Sequence, residues 1–160
     1  MLLVAQEVID ALLYQWKHET ENRNIYLFIS SFLANKGMNN LAKKFRKQAD
    51  EEATHASLIF DYVTNMGGDF IPKDVPGFDE SISSILDIAR IYRERETKTT
   101  ISLQDILDLS IDIKDSVSET FLRKMIEFQT HEYEEVSEFE DKANVVGENW
   151  QFVLFWDLGM

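Results

Sequence analysis

The chain has 160 residues, 44% hydrophobic and 28% charged, enough for one globular core and too apolar for a disordered or collagen-like chain. Acidic residues outnumber basic ones 29 to 16, a formal net charge of −13, which argues against nucleic acid or an anionic lipid surface as partner. With no cysteine, thiolate metal sites, disulfides and thiol catalysis drop out, and carboxylates, histidines and hydroxyls remain.

Gly and Pro are sparse, and between them the apolar period is helical rather than alternating. A first helix is predicted over 4–34, with Leu12, Trp16, Tyr26 and Leu33 near one stripe, and a second over 38–66, with Leu41, Phe45, Ile59 and Tyr62. A long connection with Gly67, Gly68, Pro72, Pro76 and Gly77 follows. A third helix is predicted over 79–112, capped by Asp79 and carrying Ile82, Ala89, Tyr92, Leu103 and Ile106. Ser116-Val-Ser-Glu119 reads as a capping box that opens a fourth over 116–144, and an apolar tail over 149–158 forms a short fifth. The single long connection can cross the height of a bundle, so the expected fold is an all-α four-helix bundle with one long crossover.

Each stripe is interrupted at its centre by polar residues: Glu19 on the first helix, Glu52 and His55 on the second, Glu96 on the third, Gln129 and Glu132 on the fourth. Lone buried carboxylates are expensive unless paired or metal-bound. Glu19 and Glu52 lie 33 residues apart about a midpoint in the Asn35-Lys36-Gly37 turn. Glu96 and Gln129 are also 33 apart, about a midpoint just before Ser116. Residues equidistant from a hairpin turn share a level, so the chain reads as one hairpin written twice. Four carboxylates and a histidine converging in a bundle call for a cation. Hard and borderline donors without sulfur favour iron or manganese, and two bridged metals suit the ligand count better than one.

Lys36-Gly-Met-Asn-Asn-Leu-Ala-Lys-Lys-Phe45 followed by Gln48-Ala-Asp-Glu-Glu-Ala-Thr-His55 is similar to the second helix of the ferritins, the non-haem iron-storage type. The ordered set Glu19, Glu52, His55, Glu96, Gln129 and Glu132 resembles that family's ferroxidase centre, and Tyr26 matches a tyrosine found beside its iron pair. The resemblance covers nearly the whole chain and makes the bundle ferritin-like. It implies two iron ions per subunit: Glu19 and His55 on the first, Glu96 and Glu132 on the second, Glu52 bridging, and Gln129 alongside. It further implies oxidation of Fe(II) by O2 or H2O2 and storage of Fe(III) in a homo-oligomeric shell of 24 subunits.

The chain also departs from the family's patterns. Glu51 matches one residue of a third iron site of bacterial ferritins, but Phe128 and His131 stand at two others. Ala53 stands where a bacterioferritin has its haem-ligating methionine, so no haem is expected, and Gln129-Thr-His-Glu132 lacks the second Glu-x-x-His. Glu119 matches an acidic position of the family's three-fold channels, and Leu122 stands where a second acid is common. His18 reads as a surface residue; Glu51 and Asp61 would nucleate mineral if they face a cavity. The competing readings are a di-iron oxidoreductase of rubrerythrin or bacterioferritin type and a non-enzymatic ferritin-like assembly module. A DNA-protecting mini-ferritin fits less well, because its ligands lie between subunits. No signal peptide is expected, since Glu7 and Asp10 cut the first apolar run, and no run approaches the roughly 18 apolar residues of a membrane span. A soluble cytoplasmic protein is the expectation.

Overall fold

The computed structural model describes residues 1–160 as five helices: α1 (Gln6–Asn35), α2 (Asn39–Asn65), α3 (Ile85–Asp112), α4 (Ser116–Val146) and α5 (Trp150–Leu158). α1 stops where Gly37 takes a positive φ of 80° and the Met38 N–H turns back to the Leu33 carbonyl at 3.0 Å. The chain then reverses directly into α2. After α2 the backbone runs without regular structure to Ser84 and returns to the opposite end of the bundle.

The start of α3 differs from expectation. The helix begins at Ile85 and not at 79, because Ser84 rather than Asp79 caps it. The Ser84 hydroxyl accepts the Leu86 N–H at 3.2 Å, and the Asp87 carboxylate accepts from Ser83 and Ser84 at 2.7 and 3.3 Å. That capping box competes successfully with a lone aspartate upstream. α4 starts at Ser116, but its cap is Asp115, whose carboxylate accepts the Ser118 N–H at 3.1 Å and also the Ala5 N–H at 3.0 Å. Glu119 is drawn to Arg123 at 2.9 Å instead of closing the expected box. α4 runs to Val146, two residues past the expected end, and stops at Gly147.

α1 pairs with α2 and α3 with α4 as antiparallel hairpins. Across the bundle, Gln15 meets Ser102 and Asn22 meets Arg95, so α1 and α3 are antiparallel; Gln48 meets Glu132 and Tyr62 meets Ser118, so α2 and α4 are too. The interior divides into three levels. An aromatic core holds Tyr26, Phe45, Tyr92 and Phe139 with Ile29, Leu33 and Leu41. A mainly aliphatic core at the other end holds Ile9, Leu12, Ile59, Val63, Leu103 and Leu122. Between them lies a belt of buried Gln15, Glu19, Asn22, Gln48, Glu52, His55, Glu96, Thr99, Gln129 and Glu132.

α5 docks against α2 and α4, with Val153 buried in the aromatic core. α2 has no side-chain cap of its own at Met38; the buried Asp157 of α5 supplies one, accepting the Leu41 N–H at 2.7 Å. No helix is long and apolar enough to cross a membrane.

Candidate metal centre

Two helical turns of α1 and α2 carry the first half of the belt. Glu19 and Glu52 are fully buried and His55 is 9% exposed. The His55 Nδ1 atom lies 3.8 Å from Glu19 Oε2 and 3.8 Å from Glu52 Oε2, and one ligand atom from each residue falls within 4.8 Å of the others. Gln15, one turn before Glu19, donates its amide to Glu19 Oε1 at 3.0 Å and is itself held by the Ser102 hydroxyl. Three carboxylate oxygens here meet no donor: Glu19 Oε2 and both oxygens of Glu52. An unpaired buried carboxylate oxygen forfeits solvation with nothing in return, so this arrangement fits a cation and little else.

The second half is wired differently. Glu96 accepts the Tyr26 hydroxyl on Oε1 and the Gln129 amide on Oε2 at 2.7 Å. Glu132 accepts the Gln48 amide at 2.6 Å. Glu132 does not join Glu19, Glu52 and His55; it groups instead with Glu51 and Glu135, within the same 4.8 Å reach. Of the five expected ligands, three therefore converge, while Glu96 and Glu132 lie on the same belt but turn to neutral donors. Each of these two carboxylates takes up a neighbouring N–H or O–H.

The electrostatics follow. Burial pushes Glu19 up, but the adjoining Glu52 and His55 outweigh it and hold Glu19 at about 2. Burial, then the charge on Glu19, raises Glu52 well above the carboxylate range. Burial lowers His55, yet Glu19 more than reverses that and raises it. Burial and the neighbouring Glu51 push Glu132 up to about 9, and burial raises Glu96. Glu19 is thus the most readily ionised carboxyl of the centre, and Glu52, Glu96 and Glu132 hold their protons more tightly than free carboxyls do.

Several residues lie other than where the sequence put them. His18 is not a surface residue: its ring is half-buried between α1 and α3, 2.6 Å from the Thr99 hydroxyl and 3.0 Å from an Arg95 nitrogen. Burial lowers its affinity for a proton, which suits a ring nitrogen accepting from Arg95. Leu122 is fully buried in the aliphatic core, and Glu119 is paired with Arg123. Phe128 stacks parallel to His55 with ring centroids 6.2 Å apart. Gln15, Gln48 and Glu135 were missed by reading the sequence for ligands. The two glutamines could have been found, since each precedes a belt glutamate by four residues on the same helix face.

A family profile described as the ferritin-like domain matches residues 9–145. The chain belongs to the ferritin family. It is 25% identical over 147 residues to a bacterial non-heme ferritin of Staphylococcus saprophyticus, covering 92% of this chain and 88% of the relative. It is 24% identical to a probable bacterial non-heme ferritin-like protein of Haemophilus influenzae, covering 98% of this chain and 96% of that one. Among solved structures, an open-pore ferritin of the archaeon Archaeoglobus fulgidus superposes with a TM-score of 0.91 at 24% identity, covering 97% of this chain and 96% of that one. A ferritin of Chlorobium tepidum superposes at 0.87 and 22% identity, covering 98% and 94%. These superpositions establish the fold.

Proposed function

We propose that this protein stores and detoxifies iron: it oxidises Fe(II) with O2 or H2O2 inside the bundle and keeps the Fe(III) within a shell of its own copies. The observation that carries this reading is the trio of buried carboxylate oxygens on Glu19 and Glu52 with no donor, beside His55. Two iron ions per subunit are the substrate, and they supply the electrons that the oxidant takes up. Glu19 and His55 hold the first position, Glu96 and Glu132 the second, and Glu52 serves both. No haem takes part, since Ala53 offers no ligand.

The side chains have defined tasks. Glu52 gives up its proton and His55 presents a neutral ring nitrogen as the first cation arrives, so loading releases protons. Glu96 exchanges the Tyr26 and Gln129 donors for a metal, and Glu132 exchanges Gln48. Tyr26, on the aromatic side of the belt, keeps its hydroxyl directed at Glu96. Gln129 keeps its amide beside the second position.

Assembly is the other half of the reading. α5 leaves Phe155 and Leu158 each 68% exposed and Phe152 53% exposed, a surface that neighbouring copies would cover. A 24-subunit shell of these 18.7 kDa chains would weigh about 450 kDa and act in the cytoplasm.

The test is anaerobic loading with Fe(II) followed by air, with ferric absorbance and particle mass tracked together. Rapid oxidation in a large iron-filled particle is expected. Oxidation by a monomer or dimer alone would leave a di-iron oxidoreductase of rubrerythrin or bacterioferritin type. An intact large shell that oxidises nothing would leave a non-enzymatic assembly module.

A further inference from the structure

Two openings reach the side chains of the metal centre itself, on opposite sides of α4. Glu19, Glu52 and Glu96 are sealed at 0–1% exposure, and only His55, Glu132 and Gln129 reach towards the surface. Between α2 and α4 an opening of about 250 Å³ leads to His55 and Glu132 and is lined by Glu51, His131, Thr54 and Phe128. Its carboxylates and imidazoles suit a cation.

Between α3 and α4 a second cleft, of about 380 Å³, ends on Gln129. Its lining residues have polar names but an apolar surface. The Thr100 hydroxyl donates to the Glu96 carbonyl at 3.0 Å, and the Thr130 hydroxyl to the Ile126 carbonyl at 3.2 Å. Both threonines therefore have their hydroxyls committed to the helix backbone and leave methyl groups for the cleft. Gln104 spends its amide on Asp108 at 3.0 Å, and Gln129 spends its own on Glu96 at 2.7 Å. Ile126, the Tyr133 ring and the exposed Glu134 complete the walls. Past the exposed Glu134 the cleft presents mostly apolar surface, which offers a hydrated cation little in exchange for its water and costs a small apolar molecule nothing.

We propose that the α3–α4 cleft is the route and waiting site for dioxygen, separate from the cation route between α2 and α4, with the Gln129 side chain as the partition between cleft and centre. This rests on the ferroxidase reading and specifies which oxidant uses which door. Hydrogen peroxide needs hydrogen-bond partners, which Glu51, Thr54 and His131 supply in the α2–α4 opening, so peroxide follows that polar opening instead.

Two measurements test it. In metal-free crystals pressurised with xenon, a xenon atom is expected in the cleft beside Ile126 and Gln129, and none in the α2–α4 opening. A cleft without xenon overturns the proposal. In solution, Thr100→Trp at the exposed rim, and Ile126→Trp as an independent plug, should raise the O2 concentration for half-maximal Fe(II) oxidation at least about fivefold. Anaerobic Co(II) binding and the rate with H2O2 should be unchanged. An unaltered O2 dependence in both variants, or Co(II) binding slowed as much as oxidation, overturns it too. If the unsubstituted protein oxidises no Fe(II), the ferroxidase reading fails, while the xenon result still decides whether the cleft takes apolar gas.

Discussion

The two hairpins place carboxylates at the same height and treat them in opposite ways. In the α1–α2 hairpin, Glu19 and Glu52 retain three buried oxygens without a donor. In the α3–α4 hairpin, both oxygens of Glu96 accept hydrogen bonds, from Tyr26 and Gln129, and Glu132 is held by Gln48. One half is incomplete without a cation; the other is satisfied as it stands. A repeated pattern of sequence thus carries two energetic states, and the difference comes from neutral neighbours, not from the carboxylates themselves. It follows that the first half gains most from metal, and that the second must break hydrogen bonds to take one up.

The largest effect should come from the incomplete half. Glu52→Ala is expected to cut initial Fe(II) oxidation at least about tenfold, the lower end of what losing a metal's immediate support costs. Stopped-flow kinetics would check it, and an unchanged rate would break the assignment of Glu52 to both positions.

Next is the pH dependence of the metal-free protein. Glu52, Glu96 and Glu132 are raised, Glu132 to about 9, so the folded state holds more protons than the unfolded state above the ordinary carboxylate range. Stability should therefore fall as pH rises from about 5 to about 9, by up to about 1.4 kcal/mol per pH unit for each proton held in excess. His55 is also raised, and its contribution is present below about 6.5 and lost as pH climbs through its folded value, the same direction. Glu19, held at about 2, acts oppositely: its contribution is lost only as pH falls from about 4.5 towards 2. Calorimetry with chelator should show the thermal midpoint falling between about pH 5 and 9, and saturating Zn(II) should flatten that fall. A midpoint that rises with pH in chelator would contradict the stored protons.

Two substitutions should differ in sign. Glu52→Gln places a permanently neutral group with an amide donor beside Glu19, so the metal-free midpoint should rise by about 2–4 °C, equivalent to about 1 kcal/mol. Gln48→Leu strips Glu132 of its donor and should lower the midpoint by a similar amount or more. If both move the same way, the contrast between the hairpins is wrong. Of similar size is Tyr26→Phe, which frees one oxygen of Glu96. A loss near 1 kcal/mol is expected, with anaerobic metal binding at the α1–α2 half unchanged in calorimetric titration.

What could be read from the chain was what depends on period and spacing. The 33-residue interval put Glu96 level with Gln129, and the two are hydrogen-bonded; a second interval of the same length put Glu19 level with Glu52. Tight turns with Gly were legible as well. The end of α3 at Asp112 was legible only from the Ser116 start signal beyond it, since the chain turns at Lys114 with a positive φ of 60°, a conformation that usually advertises itself as Gly or Asn. The beginning of α3 was misplaced because Asp79 and Ser84 both look like caps, and only Asp87 decides between them. His18 was misread since its partners, Thr99 and Arg95, come from another helix. Nor does spacing say whether Glu132 turns inward to the centre or outward to Glu51 and Glu135; that depends on what occupies the interior.

One amide makes the molecule's far end measurable. The Leu41 N–H is bonded to Asp157, the next-to-last residue of α5, across 116 positions of chain. When α5 lifts from the bundle, that proton loses its acceptor and becomes free to exchange with solvent deuterium. The exchange rate at Leu41 therefore counts undocking events of the tail, one residue at a time resolved from the rest of α2. The same helix bears Glu52 and His55 further along. Comparing Leu41 with an amide at His55 would tell whether a loosened tail unravels only the first turn or travels down the helix to the metal-binding level.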